Sequence, residues 1–138
     1  MGEQDRNRSA DEWAMIDRVK AITAKLPEVD IVIDGFGHTT FKVAKKSFII
    51  IGRGHADEGS LSVKADLDTQ EALIKRGPWV RTPYIGQHGW ASIFGSEKAD
   101  WAEIEELARD AYERMLASRP EDVAETIIAG RTVFRQAG

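Results

Sequence analysis

Between residues 10 and 27 the apolar side chains recur three and four apart. Trp13, Ile16 and Val19 form one stripe, with Met15, Ile22 and Leu26 on adjoining stripes, which is the spacing of a helix that buries one face. Pro27 ends this pattern, and Ser9 or Asp11 offers the side-chain oxygen that caps its start. From Ile31 the period changes. Short β-branched and aromatic runs at 31–33, 39–43, 47–51 and 61–65 predict strands, with Lys45 and Lys46 as a tight turn and 52–59 as a longer loop. A short helix is predicted over 68–76, capped by Asp68 or Thr69 and stopped by Gly77. Two further extended pieces follow Pro78, near 80–85 and 90–94, joined by a hairpin-like connection at 86–89. Asp100 with Glu103 has the spacing of a capping box, and Trp101, Ile104, Ala108, Ala111 and Met115 then repeat at helical intervals. Pro120 opens a tail helix that runs to about Ala129, where Gly130 closes it.

Strands joined by short turns, with no helix between each pair, predict a mainly antiparallel sheet. The fold class read from the sequence is therefore α+β. It comprises about six strands, an N-terminal helix, a short middle helix and a long C-terminal helix packed on one side, and a short tail helix. Residues 1–10 read as a disordered leader, 11–119 as the domain and 120–138 as the tail. Phe41 and Val43 alternate with Lys42, and Leu61 and Val63 with Lys64. One face of the sheet is thus core, and the other presents Lys42 and Lys64 to solvent.

Composition then narrows the possibilities. With 138 residues, 42% of them hydrophobic and 30% charged, the chain is an ordinary single globular domain. Its longest strongly apolar run, 48–51, is far shorter than the ~20 residues of a spanning helix. The amino terminus lacks the apolar stretch of a secretory signal, so the expectation is a cytoplasmic protein without membrane association. The absence of cysteine excludes disulfides, a thiolate nucleophile and cysteine-held metal centres. The net charge of −4 hides a distribution: −3 over 1–34, +3 over 35–95 and −4 over 96–138. A basic middle sits between acidic flanks.

Five pieces stand in a definite order: Leu26-Pro27-Glu28-Val29; Gly37-His38-Thr39-Thr40-Phe41-Lys42-Val43 with Lys46 and Phe48; Leu61-Ser62-Val63-Lys64; Thr82-Pro83-Tyr84 through Trp90; and the long helix with Tyr112. Together they resemble the MmcQ/YjbR family, over roughly 11–119. The resemblance implies a compact α+β domain with an antiparallel sheet, described as a double-wing fold, and a DNA-binding role. The tail, 120–138, has no counterpart in it.

The residues themselves offer two classes of function. Lys42, Lys45, Lys46, Lys64 and Arg81 lead the eight cations of the middle segment, and each phosphate contact they make releases counterions. Tyr84 and Trp90 supply aromatic rings for stacking. The same lysines also fit a solvated sheet face and a charged hairpin edge that discourages strand addition. The sequence pI near 5.4 is low for a DNA-binding domain. The second class is a non-enzymatic module for a small anionic ligand or a protein partner. In it His38, Tyr84, His88 and Trp90 frame a groove against the lysine-bearing face.

Enzyme signatures are missing. Gly35-Phe36-Gly37 and Gly52-Arg53-Gly54 begin like dinucleotide loops but lack the third glycine and open no helix. His55-Ala56-Asp57-Glu58 offers metal-ligand types without a second nearby histidine. The expectation is no enzyme, no catalytic residue, no metal and no cofactor. Oligomeric state is not readable from the chain.

Overall fold

The computed structural model describes residues 8–118. The tail helix and most of the expected leader lie outside them. The elements are α1 (Ala10–Thr23), β1 (Asp30–Ile33), β2 (Thr39–Val43), β3 (Lys46–Arg53), β4 (Gly59–Lys64), α2 (Leu67–Arg76), β5 (Val80–Arg81), β6 (Trp90–Phe94) and α3 (Trp101–Ala117). Single 3-10 turns occupy Gly86–His88 and Ser96–Lys98. The six strands form one antiparallel sheet in the order β1-β2-β3-β4-β6-β5. The α+β architecture is the one the sequence predicts.

Local chemistry sets the element ends, and several lie elsewhere than expected. Ser9 caps α1, accepting from the Glu12 N–H at 3.1 Å, so Asp11 is released for another role. Arg8 to Ala10 belong to the fold, because Arg8 is buried and donates to Thr39 Oγ1 at 2.9 Å. The helix stops at Thr23, before Pro27, where Lys25 and Leu26 bond back three residues to Ile22 and Thr23 and tighten the last turn. The β2–β3 turn is Ala44-Lys45, one residue earlier than predicted. Both have left-handed φ, 52° and 67°, as a two-residue hairpin of the primed type requires, and Lys46 is already in β3. Asp66 caps α2 by accepting from the Thr69 N–H at 2.8 Å. Strand β5 is only two residues long, because Pro83 lacks a donor and Tyr84 sits at φ 68°.

Register explains the core. Phe41, Ile49, Val63 and Ala91 stand opposite one another across four strands, and Ile51, Leu61 and Ile93 form the next row. All are at most 1% exposed. Against them pack Met15, Ile16 and Val19 of α1 and Ile104, Ala108, Ala111 and Met115 of α3, so the helices share one side of the sheet. Complete burial of a side chain such as Ile49 is worth about 1.5–3 kcal/mol. A bulge at Phe41/Lys42 lets Phe48 and Ile49 both enter the core, which accounts for an apolar run that breaks alternation. Gly59 lets α1 approach β4 closely, since a Cβ there would lie 3.0 Å from Glu12 Cα and 2.8 Å from Met15 Sδ.

Candidate nucleic-acid interface

Alternation fixes what the opposite face of the sheet carries. One row is Val32, Thr40, Ile50, Ser62, Ser92 and Val80; the next includes Lys42, Ser47, Lys64 and Trp90; a third holds Gly52, Ser60 and Phe94. The centre of this face is small and hydroxylated. Thr82 Oγ1 and Ser92 Oγ lie 2.7 Å apart, as do Ser92 Oγ and Ser62 Oγ, while Thr40 Oγ1 donates to the Val32 carbonyl at 2.7 Å. Every one of these hydroxyls has a partner inside the sheet. Thr40, Ser62 and Ser92 are themselves buried, at 3, 8 and 2% exposure, and the charges and rings of this face lie toward its ends.

The cations gather at the end of the sheet nearest the β2–β3 turn. Lys64 Nζ donates to the His88 carbonyl at 2.6 Å, which pins the lysine beside Trp90, its cross-strand neighbour. Burial, followed by repulsion from Arg114 and Lys46, holds the Lys64 ammonium below its ordinary pKa of 10.5. Arg114 joins this group because its guanidinium donates to the Lys64 carbonyl at 2.7 Å while pairing with Asp110 at 3.2 Å. Lys46 turns to the helix side and donates to the carbonyl and hydroxyl of Ser118, at 3.0 and 3.1 Å, where a cation suits the helix C-terminus. Lys45 is exposed at the turn tip.

The other predicted site residues disperse. Arg81 stands opposite Ala91 on the helix-bearing side, its stem against Gly86. Tyr84 is 95% exposed on the β5–β6 connection, whereas Trp90 is 6% exposed and presents little ring surface. His38 lies at the far end of the open face. Its ring covers Gly52, where a Cβ would come within 2.6 Å of it, and its Nδ1 is 3.2 Å from Asp34 Oδ2. Phe94 covers Gly54 in the same manner, at 2.9 Å. The two glycines that begin like a dinucleotide loop therefore act as floors for two rings. Phe36, 88% exposed, stands 6.2 Å from the His38 ring. Among the described residues no three His, Asp or Glu side chains group as a metal site.

Two contributors escape sequence reading. Arg114 looks like half of an exposed helical ion pair, and only the approach of α3 to the end of β4 brings it to Lys64. Asp11 looks like a cap, yet it accepts from the Gly59 N–H at 2.8 Å and from the N–H and hydroxyl of Ser96. It ties α1 to both β4 and the turn before α3. Burial raises its pKa, but these hydrogen bonds outweigh that and hold it below the ordinary 3.8. The partners lie 48 and 85 residues away, and no local pattern encodes them.

The chain, whose described residues set three helices on one face of the sheet and none on the other, is matched by a family model described as YjbR over residues 24–114. The chain belongs to the YjbR family. The matched segment begins after α1 and ends inside α3. The crystal structure of Deinococcus radiodurans protein DR2400, which carries a DUF419 domain, is similar in fold, with a TM-score of 0.64 at 18% identity. The alignment covers 75% of this chain and 79% of that one. No curated protein matches the chain. No helix among the described residues is long and apolar enough to cross a membrane.

Proposed function

We propose that this YjbR protein binds DNA, as a single strand, across the open face of its sheet, and acts by binding without catalysis. The observation that carries the reading is the meeting of Lys64 and Arg114 at one end of the sheet, with Lys42 on the same open face two strands away, a face that no helix among the described residues covers. Phosphates meet this end, and bases run toward the hydroxyl rows, with Tyr84 and Phe36 as exposed rings at the margins. A flat sheet face suits splayed single-stranded bases better than a duplex, whose grooves call for a protruding helix or ribbon.

The acidic total predicts modest affinity with few phosphate contacts. Fluorescence anisotropy of a labelled oligonucleotide, titrated between about 50 and 200 mM salt, tests this. Two to four contacts give a slope of about −1.4 to −2.8 in log K against log salt. Lys42→Glu combined with Lys64→Glu abolishes the slope while circular dichroism stays unchanged, because Lys42 and Lys64 lie on the open face. A double variant that binds like the parent removes this face as the site. A second reading, a small phosphate-like anion held by Lys64 and Arg114, rests on the same observation. It is distinguished by a slope near −1 or shallower and by competition with inorganic phosphate.

A further inference from the structure

The end of the sheet away from Lys64 carries a ring that the core does not use. Phe36 is 88% exposed, yet the turn between β1 and β2 that bears it is closely tied. The Asp34 carboxylate accepts from the N–H groups of Phe36 and His38 at 2.8 and 2.9 Å. Asp34 also donates to the His38 carbonyl and accepts from the Gly37 N–H, both at 3.0 Å through the backbone. From the start of α1 the Arg8 guanidinium donates to the Gly37 carbonyl at 3.2 Å and to Thr39 Oγ1 at 2.9 Å. A ring held in water on so constrained a turn offers a contact face whose ordering cost is already met by the fold.

Beside this ring lies a cleft of about 350 Å³, within the size range of small-ligand sites. Phe36 and His38, with ring centroids 6.2 Å apart, give it an aromatic wall, and Gly52 lies under the His38 ring. Arg8, Glu12 and Arg53 supply its charge. Arg8 and Glu12 are buried and stand 3.7 Å apart as a pair, whereas Arg53 is exposed at the end of β3. Two arginines against one glutamate leave the lining net positive. The Asp34 carboxylate is engaged by the turn amides and by His38 Nδ1 at 3.2 Å.

We propose that this cleft binds a nucleoside 5′-monophosphate group, with the base stacked on Phe36 and the phosphate met by Arg53 in front of Arg8. Every base has a π-face for an exposed aromatic ring, and a planar guanidinium matches phosphate geometry. A bare phosphate gives Phe36 no role, and an uncharged ring gives the arginines none. Two sources carry this chemistry: a free nucleotide, and the 5′-phosphorylated end of a strand lying on the open face. The second is within reach because Gly52, with the His38 ring over it, belongs to a row of that face. The site itself does not depend on the open-face reading, since Lys42 and Lys64 do not line it.

Isothermal titration calorimetry of the full-length protein with 2′-deoxyadenosine 5′-monophosphate tests the cleft. Binding is expected, and deoxyadenosine and inorganic phosphate, each keeping half of the contacts, bind at least about fivefold more weakly. Phe36→Ala and Arg53→Glu each weaken the nucleotide at least about fivefold, with circular dichroism unchanged because both side chains are exposed. Lys42→Glu with Lys64→Glu leaves nucleotide binding as it is. A 5′-phosphorylated single-stranded oligonucleotide that binds better than its unphosphorylated counterpart, by a margin lost in Phe36→Ala, assigns the strand end. Equal binding of the two oligonucleotides beside a bound mononucleotide assigns the free nucleotide. Absence of binding in both forms overturns the proposal, as does a fragment that binds as tightly as the nucleotide or indifference to Phe36→Ala and Arg53→Glu. Weakening of the mononucleotide by the lysine pair instead places it on the open face and overturns the cleft. If the nucleotide binds and neither oligonucleotide does, the open-face reading falls and the cleft stands.

Discussion

At the scale of single residues, Asp11 illustrates how one side chain fastens distant segments. Its carboxylate is the common acceptor for β4 and for the turn that leads into α3. Asp11→Ala strands those donors and is expected to lower the unfolding free energy by roughly 1–3 kcal/mol in urea titrations at pH 7. The pH dependence has a definite sign. A carboxylate whose folded pKa lies below the ordinary 3.8 contributes stability that is complete above that value. The contribution is lost as pH falls through the folded pKa. Asp34, Asp66 and Glu103 are lowered as well, Glu103 chiefly through the Arg76 guanidinium at 2.7 Å. Acid unfolding therefore sets in below about pH 4, and Asp11→Ala shows a shallower loss over that interval than the parent. An unchanged acid transition in the variant refutes the clamp.

At the scale of elements, strand and helix positions follow the periodicity of the chain, while their ends follow caps and turns. The β2–β3 hairpin is the instructive case. Its two central residues are Ala44 and Lys45, which hold left-handed φ without glycine or asparagine and so pay a steric cost. Ala44→Asn with Lys45→Gly supplies the residues this turn favours and is expected to stabilise the protein by about 1 kcal/mol, seen as a higher midpoint in thermal unfolding. A lower midpoint means that the left-handed assignment of this turn is wrong. The sequence places the turn at Lys45 and Lys46 because they lie between the strand-like runs 39–43 and 47–51. Structurally Lys46 is a strand residue whose ammonium serves the C-terminus of α3, and its departure from the open face removes one cation from the expected cluster.

At the scale of the whole molecule, the asymmetry of the sheet is the feature on which the proposed function rests. Three helices cover one face and none of them covers the other, so any ligand that recognises the open face binds the folded state alone. Linkage then makes binding visible as stability, by about 2.7 kcal/mol when the ligand is at 100 times its Kd. A short single-stranded oligonucleotide at saturating concentration is expected to raise the thermal midpoint at 50 mM salt, with the shift shrinking toward 200 mM. A shift that is independent of salt argues for a ligand recognised without phosphate contacts.

The sequence by itself determined the α+β class, the family, the helix positions, the antiparallel strands and the outward direction of Lys42 and Lys64. The class, the helices, the strands and the direction of the two lysines follow from local periods of 3.6 and 2 residues, and the family from the order of five sequence pieces that resemble it. Only the tertiary structure decided which cations meet. Arg114 reaches the Lys64 carbonyl and Lys46 turns to Ser118 on the helix side because of how α3 lies across the ends of β3 and β4. Arg81 falls on the opposite face through the pairing of β5 with β6. Gly52 and Gly54 receive rings from His38, just before β2, and from Phe94 of β6. Each of these depends on contacts between residues far apart in the chain, and the physical reason they were not legible is that strand register and helix placement are settled by packing the whole core at once.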